Sequence, residues 1–167
     1  LTTLPDGPQR IQQELTLHIA LGPALTATKG QAAPEVEHAY ARARELCRQV
    51  GETPQLFQAL FGLWGFYEAQ GKLQTALELG EQLFTLAQRR LDPALLLEAH
   101  HVLGATLFWR GEVSPAGAHF AQGIALYDHG CLFVMDTVRF SGGVLDRKWA
   151  AIRMRRILVV APSWIGD

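Results

Sequence analysis

Apolar residues recur at three- and four-residue steps through most of the chain, and this spacing is typical of amphipathic helices. The clearest example is the stretch 34–51, where Pro34 stands at a favoured first-turn position and Gly51 at a favoured stop. The same spacing predicts four further helices downstream, at Leu56–Gln70, Leu73–Arg90, Leu95–Arg110 and Pro115–Tyr127.

Near the N-terminus the helical pattern is interrupted by a Gly-Pro pair. Pro8–Leu21 is loosely helical in pattern, and Gly22–Pro23 predicts a break or a kink before a short second piece at Leu25–Lys29. Two later helices each follow a polar residue and a proline, at Thr53–Pro54 and Asp92–Pro93. We therefore expect the threonine and the aspartate side chains to cap these helices.

A unit of helix, tight turn and helix occurs twice in the middle of the chain. Its two turns contain Gly71 and Gly111, and a fainter third copy surrounds Gly30. A helical unit repeated at a period of about 40 residues is typical of an α-solenoid, in which each helix pair buries its apolar face against the next pair. The predicted fold is all-α, a solenoid of antiparallel helix pairs over residues 1–128, in an array expected to begin before Leu1.

The character of the chain changes after residue 128. Gly130, Gly142 and Gly143 interrupt the helical period, so residues 129–153 are predicted to form an irregular linker. Residues 154–167 contain a β-branched run that ends in a glycine-containing loop, a pattern typical of a buried parallel strand. We expect this tail to contribute one β-strand that does not belong to the solenoid.

The third helix pair carries the motif Leu103-Gly104-x-x-Leu107, followed by Ala116 and Phe120. This order resembles the tetratricopeptide repeat, and a looser copy in the preceding pair contains Leu63, Tyr67 and Ala76. The resemblance implies an array whose first helices line a concave groove that binds a protein or a peptide. It also implies a scaffold for protein-protein interaction, with no enzymatic activity of its own.

Two positions depart from the family pattern. Trp64 stands at the family's small-residue place, and Gly80 stands at its large aromatic place. Such an exchange conserves volume if the two positions face each other. The period also exceeds the roughly 34 residues of the family, which predicts lengthened helices or loops.

A more specific resemblance covers residues 4–127. The segments that carry it are Ala27–Gly30, Ala33–Val36, Tyr40–Cys47 and Ala99–Phe108. They resemble the repeat region of large bacterial signalling proteins, in which the repeats follow a nucleotide cyclase domain and an ATPase domain. The resemblance implies a fragment of such a protein, serving as its sensing or scaffolding array.

The tail has a resemblance of its own. Met154–Asp167, with its Pro-Ser-Trp-x-Gly-Asp loop, resembles the start of an ADP-heptose:lipopolysaccharide heptosyltransferase. The resemblance implies that Asp167 stands where that family has its catalytic base, but the remainder of such an enzyme is missing from the sequence. A truncated or fused heptosyltransferase reading frame is therefore the alternative interpretation of the chain.

The groove expected from the repeats is lined by residues of the first helix in each pair. Three of them, Phe61, Phe108 and Trp109, are aromatic side chains of the kind that dominate binding energies at interfaces. The alternative is that these rings cover neighbouring helices. The full candidate set, called the groove residues below, is Gln58, Phe61, Glu68, Glu98, His101, Phe108 and Trp109.

Composition narrows the range of partners. The chain has 15 Lys+Arg against 16 Asp+Glu and a net charge of -1, which argues against binding to nucleic acid or to an anionic membrane. No apolar run reaches the length of about 18 residues that a membrane span needs. Two cysteines, Cys47 and Cys131, are too few for a disulfide framework and favour a cytoplasmic location. We expect a protein or peptide partner, which includes domains of a longer parent chain.

Two carboxylate-histidine pairs raise a third interpretation. Glu35 with His38 and Glu98 with His101 each place the two groups one turn apart, as in di-iron helical bundles. No further inward-facing Glu residues are evident, so we expect solvated helix faces, no metal and no cofactor. The neighbouring His100 is expected to face away from His101, with one ring packed and the other exposed.

We also expect uncovered apolar ends of the array to favour a homodimer.

Overall fold

Six α-helices form the described part of the chain. The structure is a computed structural model that describes residues 7–51 and 53–128. The helices are α1 (Pro8–Lys29), α2 (Pro34–Val50), α3 (Gln55–Ala69), α4 (Leu73–Arg90), α5 (Pro93–Trp109) and α6 (Val113–Asp128). No strand occurs in these two ranges. The predicted linker at 129–153 and the predicted strand at 154–167 lie outside the described residues.

The helices pack in chain order as three pairs. Each helix contacts the next along the chain, and α1 also contacts α3. The first helices of the pairs, α1, α3 and α5, therefore lie side by side, as do their partners. The polar contact between Arg44 of α2 and Gln82 of α4, 3.0 Å from Nη2 to Oε1, joins two of the second helices. The predicted all-α arrangement of stacked helix pairs is confirmed.

The turns of the second and third pairs have the same geometry. Gly71 and Gly111 have φ angles of 70° and 83°, a region that favours glycine because a side chain there is strained. The Gly71 N–H donates to the carbonyl of Glu68 at 2.9 Å, and the Gly111 N–H donates to that of Phe108 at 2.9 Å. These bonds satisfy carbonyls that the helix end leaves free. The repeat predicted from the two glycines is thus also a structural repeat.

Apolar side chains from all six helices fill the space between the two layers. Tryptophan contributes to this core with a polar contact as well, because the indole N–H of Trp64 donates to Oγ1 of Thr106 at 2.8 Å. Both side chains are buried, so the bond satisfies a group that would otherwise be costly to bury. It also joins α3 to α5 directly. The largest fully buried side chains are Leu15, Val36, Leu46, Cys47, Leu83, Val102 and Thr106.

Tyr40 of α2 packs between two glycines of neighbouring helices. A Cβ atom added to Gly22 of α1 would lie 2.2 Å from Cζ of Tyr40, and one added to Gly62 of α3 would lie 2.3 Å from its Cε2. These distances are far below the carbon-carbon contact distance of about 3.5–4.0 Å. The ring can therefore lie between the first and second pairs because both flanking positions lack a side chain.

At the junction between the second and third pairs, the large and the small residue change places. Gly80 stands one repeat after Tyr40, and Val102 stands one repeat after Gly62. A Cβ atom added to Gly80 would lie 3.0 Å from Cγ1 of Val102, so the valine occupies the volume that the tyrosine fills one repeat earlier. Volume is conserved, but across the junction between pairs. The exchange of volume between Trp64 and Gly80 stays a prediction.

A break or a kink was predicted at Gly22–Pro23; the break is wrong, and the kink stays a prediction. Helix α1 runs without interruption through Pro23 to Lys29. A proline inside a helix removes one backbone hydrogen bond and costs about 3 kcal/mol. Here the close packing of Gly22 against the ring of Tyr40 anchors this part of α1, so tertiary contacts outweigh the local signal.

The two predicted caps have different outcomes. The Asp92 carboxylate accepts from the N–H groups of Ala94 at 2.9 Å and Leu95 at 3.4 Å, so the cap at α5 is confirmed. The cap predicted at Thr53 is wrong, because its hydroxyl donates to Sγ of Cys47 at 3.2 Å and Pro54 takes the cap position.

None of the described helices is long and apolar enough to cross a membrane.

Candidate protein-binding groove

The groove residues lie on α3 and α5, two neighbouring first helices. Gln58, Phe61 and Glu68 belong to α3, and the other four belong to α5. The repeat period places Gln58 level with Glu98, Phe61 level with His101, and Glu68 level with Phe108. Trp64 joins α3 to α5 through its contacts with Thr106 and His101, and the assembly of the groove residues into one surface stays a prediction.

Two of the groove residues contact the aromatic ring of Trp64. The ring centroid of Trp64 lies 5.3 Å from that of Phe61 and 6.0 Å from that of His101, the latter edge to face. Phe61 is half-buried and packs against the hydrophobic core. It therefore helps to hold α3 against α5, so the alternative of covering a neighbouring helix holds for this ring.

The two aromatic residues at the end of α5 are exposed. Phe108 keeps 51% of its surface accessible and Trp109 keeps 44%. Their ring centroids lie 5.5 Å apart in an edge-to-face arrangement, so together they form one apolar patch. Neither ring is needed to fill the core, and both are available to contact a partner.

Glu68 is a partly buried carboxylate without a partner. Its Oε1 atom is buried and has no hydrogen-bond partner. Burial raises the pKa of Glu68 to about 7, because the charged form loses hydration that no contact replaces. The protonated form of Glu68 therefore persists to a higher pH than is usual for a glutamate.

Glu98 and His101 are also removed from solvent. Burial raises the pKa of Glu98 and lowers the pKa of His101, so in both residues the neutral form is favoured. Both side chains are half-buried, so this pair does not lie on a fully solvated face. The expectation of a solvated face holds for Glu35 and His38, which are exposed, and Glu35 forms an ion pair with Lys29.

A second cluster of polar groups was not predicted from the sequence. His100 of α5 and His119 of α6 approach each other with Nδ1 atoms 3.0 Å apart, so one ring donates a hydrogen bond to the other. They line a shallow cavity of about 280 Å³ together with Phe84, Ala118 and Gln122. Burial lowers the pKa of both histidines, and His119 lowers that of His100 further. This cavity lies among α4, α5 and α6, away from the groove residues.

The two neighbouring histidines of α5 face different helices, as expected. His100 is 7% exposed and faces His119, whereas His101 faces Trp64. The expectation that one ring would be exposed is wrong, because helix α5 is covered on both sides. Among the described residues, no group of three or more His, Cys, Asp or Glu side chains is placed to hold a metal ion.

Comparison with known proteins bears on the fold. No family model matches the sequence, and no curated protein matches it. Among solved structures, the chain is similar to the crystal structure of the TPR domain of Arabidopsis FLU, with a TM-score of 0.66 and 18% sequence identity. The likeness covers 72% of this chain and 99% of that domain. At this identity the likeness shows the fold, and the fold of the described helices is that of a tetratricopeptide-repeat domain.

Proposed function

We propose that this chain is a non-enzymatic scaffold that binds a peptide or a helical segment of a partner protein along the groove residues. The observation that carries the proposal is the exposed pair Phe108 and Trp109 at the end of α5. Rigid aromatic rings contribute much of the binding energy at protein interfaces and lose little conformational entropy on binding.

The packing of Trp64 adds to this argument. Phe61 and His101 both contact the ring of Trp64, so these two groove residues are held in place by a buried side chain. A rigid surface loses less freedom on association than a mobile one. A bound segment would therefore contact preformed aromatic and polar groups on two helices.

Selection from a library of random peptides displayed on phage tests the proposal. The full chain is immobilised, and the selected peptides are then assayed on Phe108→Ala and Trp109→Ala variants. We expect binding to fall at least tenfold in each variant, because truncating a central aromatic side chain costs about 2 kcal/mol or more.

Tyr127→Ala is the matched control. Tyr127 is an aromatic side chain of α6 that is 42% exposed, close to the exposure of Trp109, but it belongs to the other layer of helices. Peptides that bind the Tyr127→Ala variant normally and lose both groove variants support the proposal. Peptides that bind all three variants equally, or a library that yields no binder, would refute it.

We also propose that the repeats belong to a larger bacterial signalling chain with cyclase and ATPase domains and a cytoplasmic location. The support is the sequence resemblance of residues 4–127. The alternative, a heptosyltransferase reading frame, rests on the resemblance of residues 154–167. The DNA on both sides of the coding region distinguishes them, since each interpretation predicts a different domain in frame, upstream for the first and downstream for the second.

The outer face of α6, the last described helix, is a further candidate for contact, in this case with a second copy of the chain. On α6, Phe120 and Tyr127 are 36% and 42% exposed, whereas the residues two repeats earlier, Tyr40 and Cys47, are buried against the next pair. We expect this uncovered face to favour a homodimer. Sedimentation of the full chain as a dimer, and as a monomer after Ile124→Lys, is the predicted result.

A further inference from the structure

Helix α6 contributes fewer buried side chains than the other described helices. Within residues 113–127, Ala116 alone is buried, and the remaining residues are half-buried or exposed. The ring of Phe120 lies against Gly104 of α5, where an added Cβ atom would come within 2.6 Å of it. The two clusters of buried apolar side chains consist of residues of α1 to α5. A helix that is covered on one face and buries few side chains can open locally at less cost than unfolding the whole domain.

A pair of histidines forms a polar contact between α6 and α5. The Nδ1 atoms of His119 and His100 lie 3.0 Å apart, and His100 is only 7% exposed. A hydrogen bond between them requires that one Nδ1 carries a proton and that the other does not. Phe84 of α4 packs edge to face against both rings, at centroid distances of 5.0 Å and 6.2 Å. The pair therefore lies where three helices meet.

The contact between the two rings can hold one added proton but not two. When one ring is cationic, its N–H still donates to the neutral ring. When both rings are cationic, two donors face each other without an acceptor, and two positive charges lie close together. In a released α6, each histidine can take up a proton near its ordinary pKa of about 6.5. The released state therefore binds more protons in acid than the docked state does.

The surroundings of the pair do not compensate a second charge. The other residues that line the cavity beside the two rings are Phe84 of α4 and Ala118 and Gln122 of α6, and none of them ionises. Burial lowers the pKa of both histidines, and the charge of His119 lowers the pKa of His100 further. A lowered pKa is the direction expected for a partly buried histidine that no carboxylate approaches.

We propose that the contact between His100 and His119 makes the docking of α6 sensitive to pH, so that in acid α6 separates from α5 while the other five helices stay packed. Above about pH 6.5 the two rings are neutral and hydrogen-bonded, and the contact stabilises the docked helix. As the pH falls further, proton uptake favours the released helix. Release uncovers Gly104 and the surface of α5 around it. This inference does not depend on the proposed function of the groove.

Hydrogen-deuterium exchange of the full chain, followed by mass spectrometry of peptides from each helix, measures this release. Exchange at about pH 7 and at about pH 5 is compared after correction for the pH dependence of the intrinsic rate. We expect the protection of α6 amides to fall at least about tenfold more than that of α3 and α4 amides, because release takes up at least about one further proton in this range.

Two variants test whether the histidine pair is the cause. In His119→Gln and in His100→Gln the remaining histidine can be protonated and still donate to the amide oxygen of glutamine, so the conflict between two charges is removed. The fall in α6 protection should then be at least about threefold smaller than in the wild type. His38→Gln makes the same chemical change at an exposed histidine of α2, and as the matched control it should keep the wild-type fall.

Several outcomes would overturn the inference. They are a wild-type α6 whose protection is equal at the two pH values, a fall of equal size in all six helices, and a fall that persists in both glutamine variants. Circular dichroism at the helical minimum identifies a variant that does not fold, and the other variant then decides. In the wild type itself the fall must begin near about pH 6.5, and a fall that begins only below about pH 5, where carboxylates titrate, would also overturn the inference.

Discussion

The packing of Tyr40 between two glycines predicts that one substitution will have opposite effects at two positions. Gly62→Ala adds a methyl group whose carbon would lie 2.3 Å from Cε2 of the Tyr40 ring. Gly117→Ala adds the same group to α6, where nothing lies within 4 Å of the new carbon. Both glycines are inside helices, so the change in backbone preference is the same.

The magnitude is a balance of two terms. Replacing glycine by alanine inside a helix stabilises the folded chain by about 1 kcal/mol, and at Gly117 this term stands alone. At Gly62 the ring would have to move by more than about 1 Å to reach a normal contact distance. Its other edge already abuts Gly22, so the ring has little room, and overpacking of this kind costs about 1–3 kcal/mol. We expect Gly62→Ala to be the less stable variant by about 1–3 kcal/mol.

Urea unfolding of the full chain, followed by circular dichroism at the helical minimum, measures the difference. Tyr40→Leu provides the rescue, because a smaller side chain frees the space beside Gly62. In the Tyr40→Leu background, Gly62→Ala should lose most of its cost, which makes the pair strongly non-additive. The reasoning would be refuted if Gly62→Ala and Gly117→Ala were equally stable, or if Tyr40→Leu left the cost unchanged.

Three further predictions concern single side chains. Burial lowers the pKa of His119, so its stabilising contribution is present above about pH 6.5 and is lost below it. His119→Gln should therefore flatten the fall in melting temperature toward about pH 5. Asp92→Ala should lower the free energy of unfolding by about 1 kcal/mol, and Thr53→Ala, which removes no cap, should lower it less. The pKa of Glu68 is raised, so this residue destabilises the fold as the pH rises through about 7. Glu68→Gln should therefore stabilise the chain by about 1 kcal/mol at about pH 8, a figure reduced for the partial exposure of the side chain. At about pH 4 the same substitution should have little effect. Thermal and urea unfolding across this pH range measure all three.

The helix pairs could be predicted because their signals are local. Gly71 and Gly111 occupy turns that require positive φ angles, and such positions favour glycine in any context. The apolar spacing on either side of each turn then sets the buried face of each helix. The boundaries of α2 to α6 accordingly agree with the prediction to within about two residues, which is the usual uncertainty of helix ends.

The failed predictions depend on contacts between residues far apart in the chain. Pro23 carries a strong local signal for a break, but Gly22 packs against a ring that belongs to the next helix. Thr53 is a good capping residue by type, yet its hydroxyl points to Cys47. In both cases a tertiary partner competes with the local preference, and its position is not visible in the neighbouring sequence.

The groove residues stay a prediction, and their surroundings could not be predicted from the sequence. Glu68 and Phe108 are equivalent positions of successive repeats, and that relation can be read from the spacing of the two turn glycines. The contact of His101 with Trp64 joins α5 to α3, and the contact between His100 and His119 joins α5 to α6. Both depend on how neighbouring helices pack, which the local sequence does not show.

The stability of Glu68→Gln separates a structural role of this carboxylate from a costly one. A carboxylate that stabilises the fold would make the chain less stable when neutralised. The buried Oε1 of Glu68 has no hydrogen-bond partner, so Glu68→Gln should make the free chain more stable above about pH 7. If Glu68→Gln lowered the stability instead, the carboxylate would contribute to the fold and would not be available to a partner.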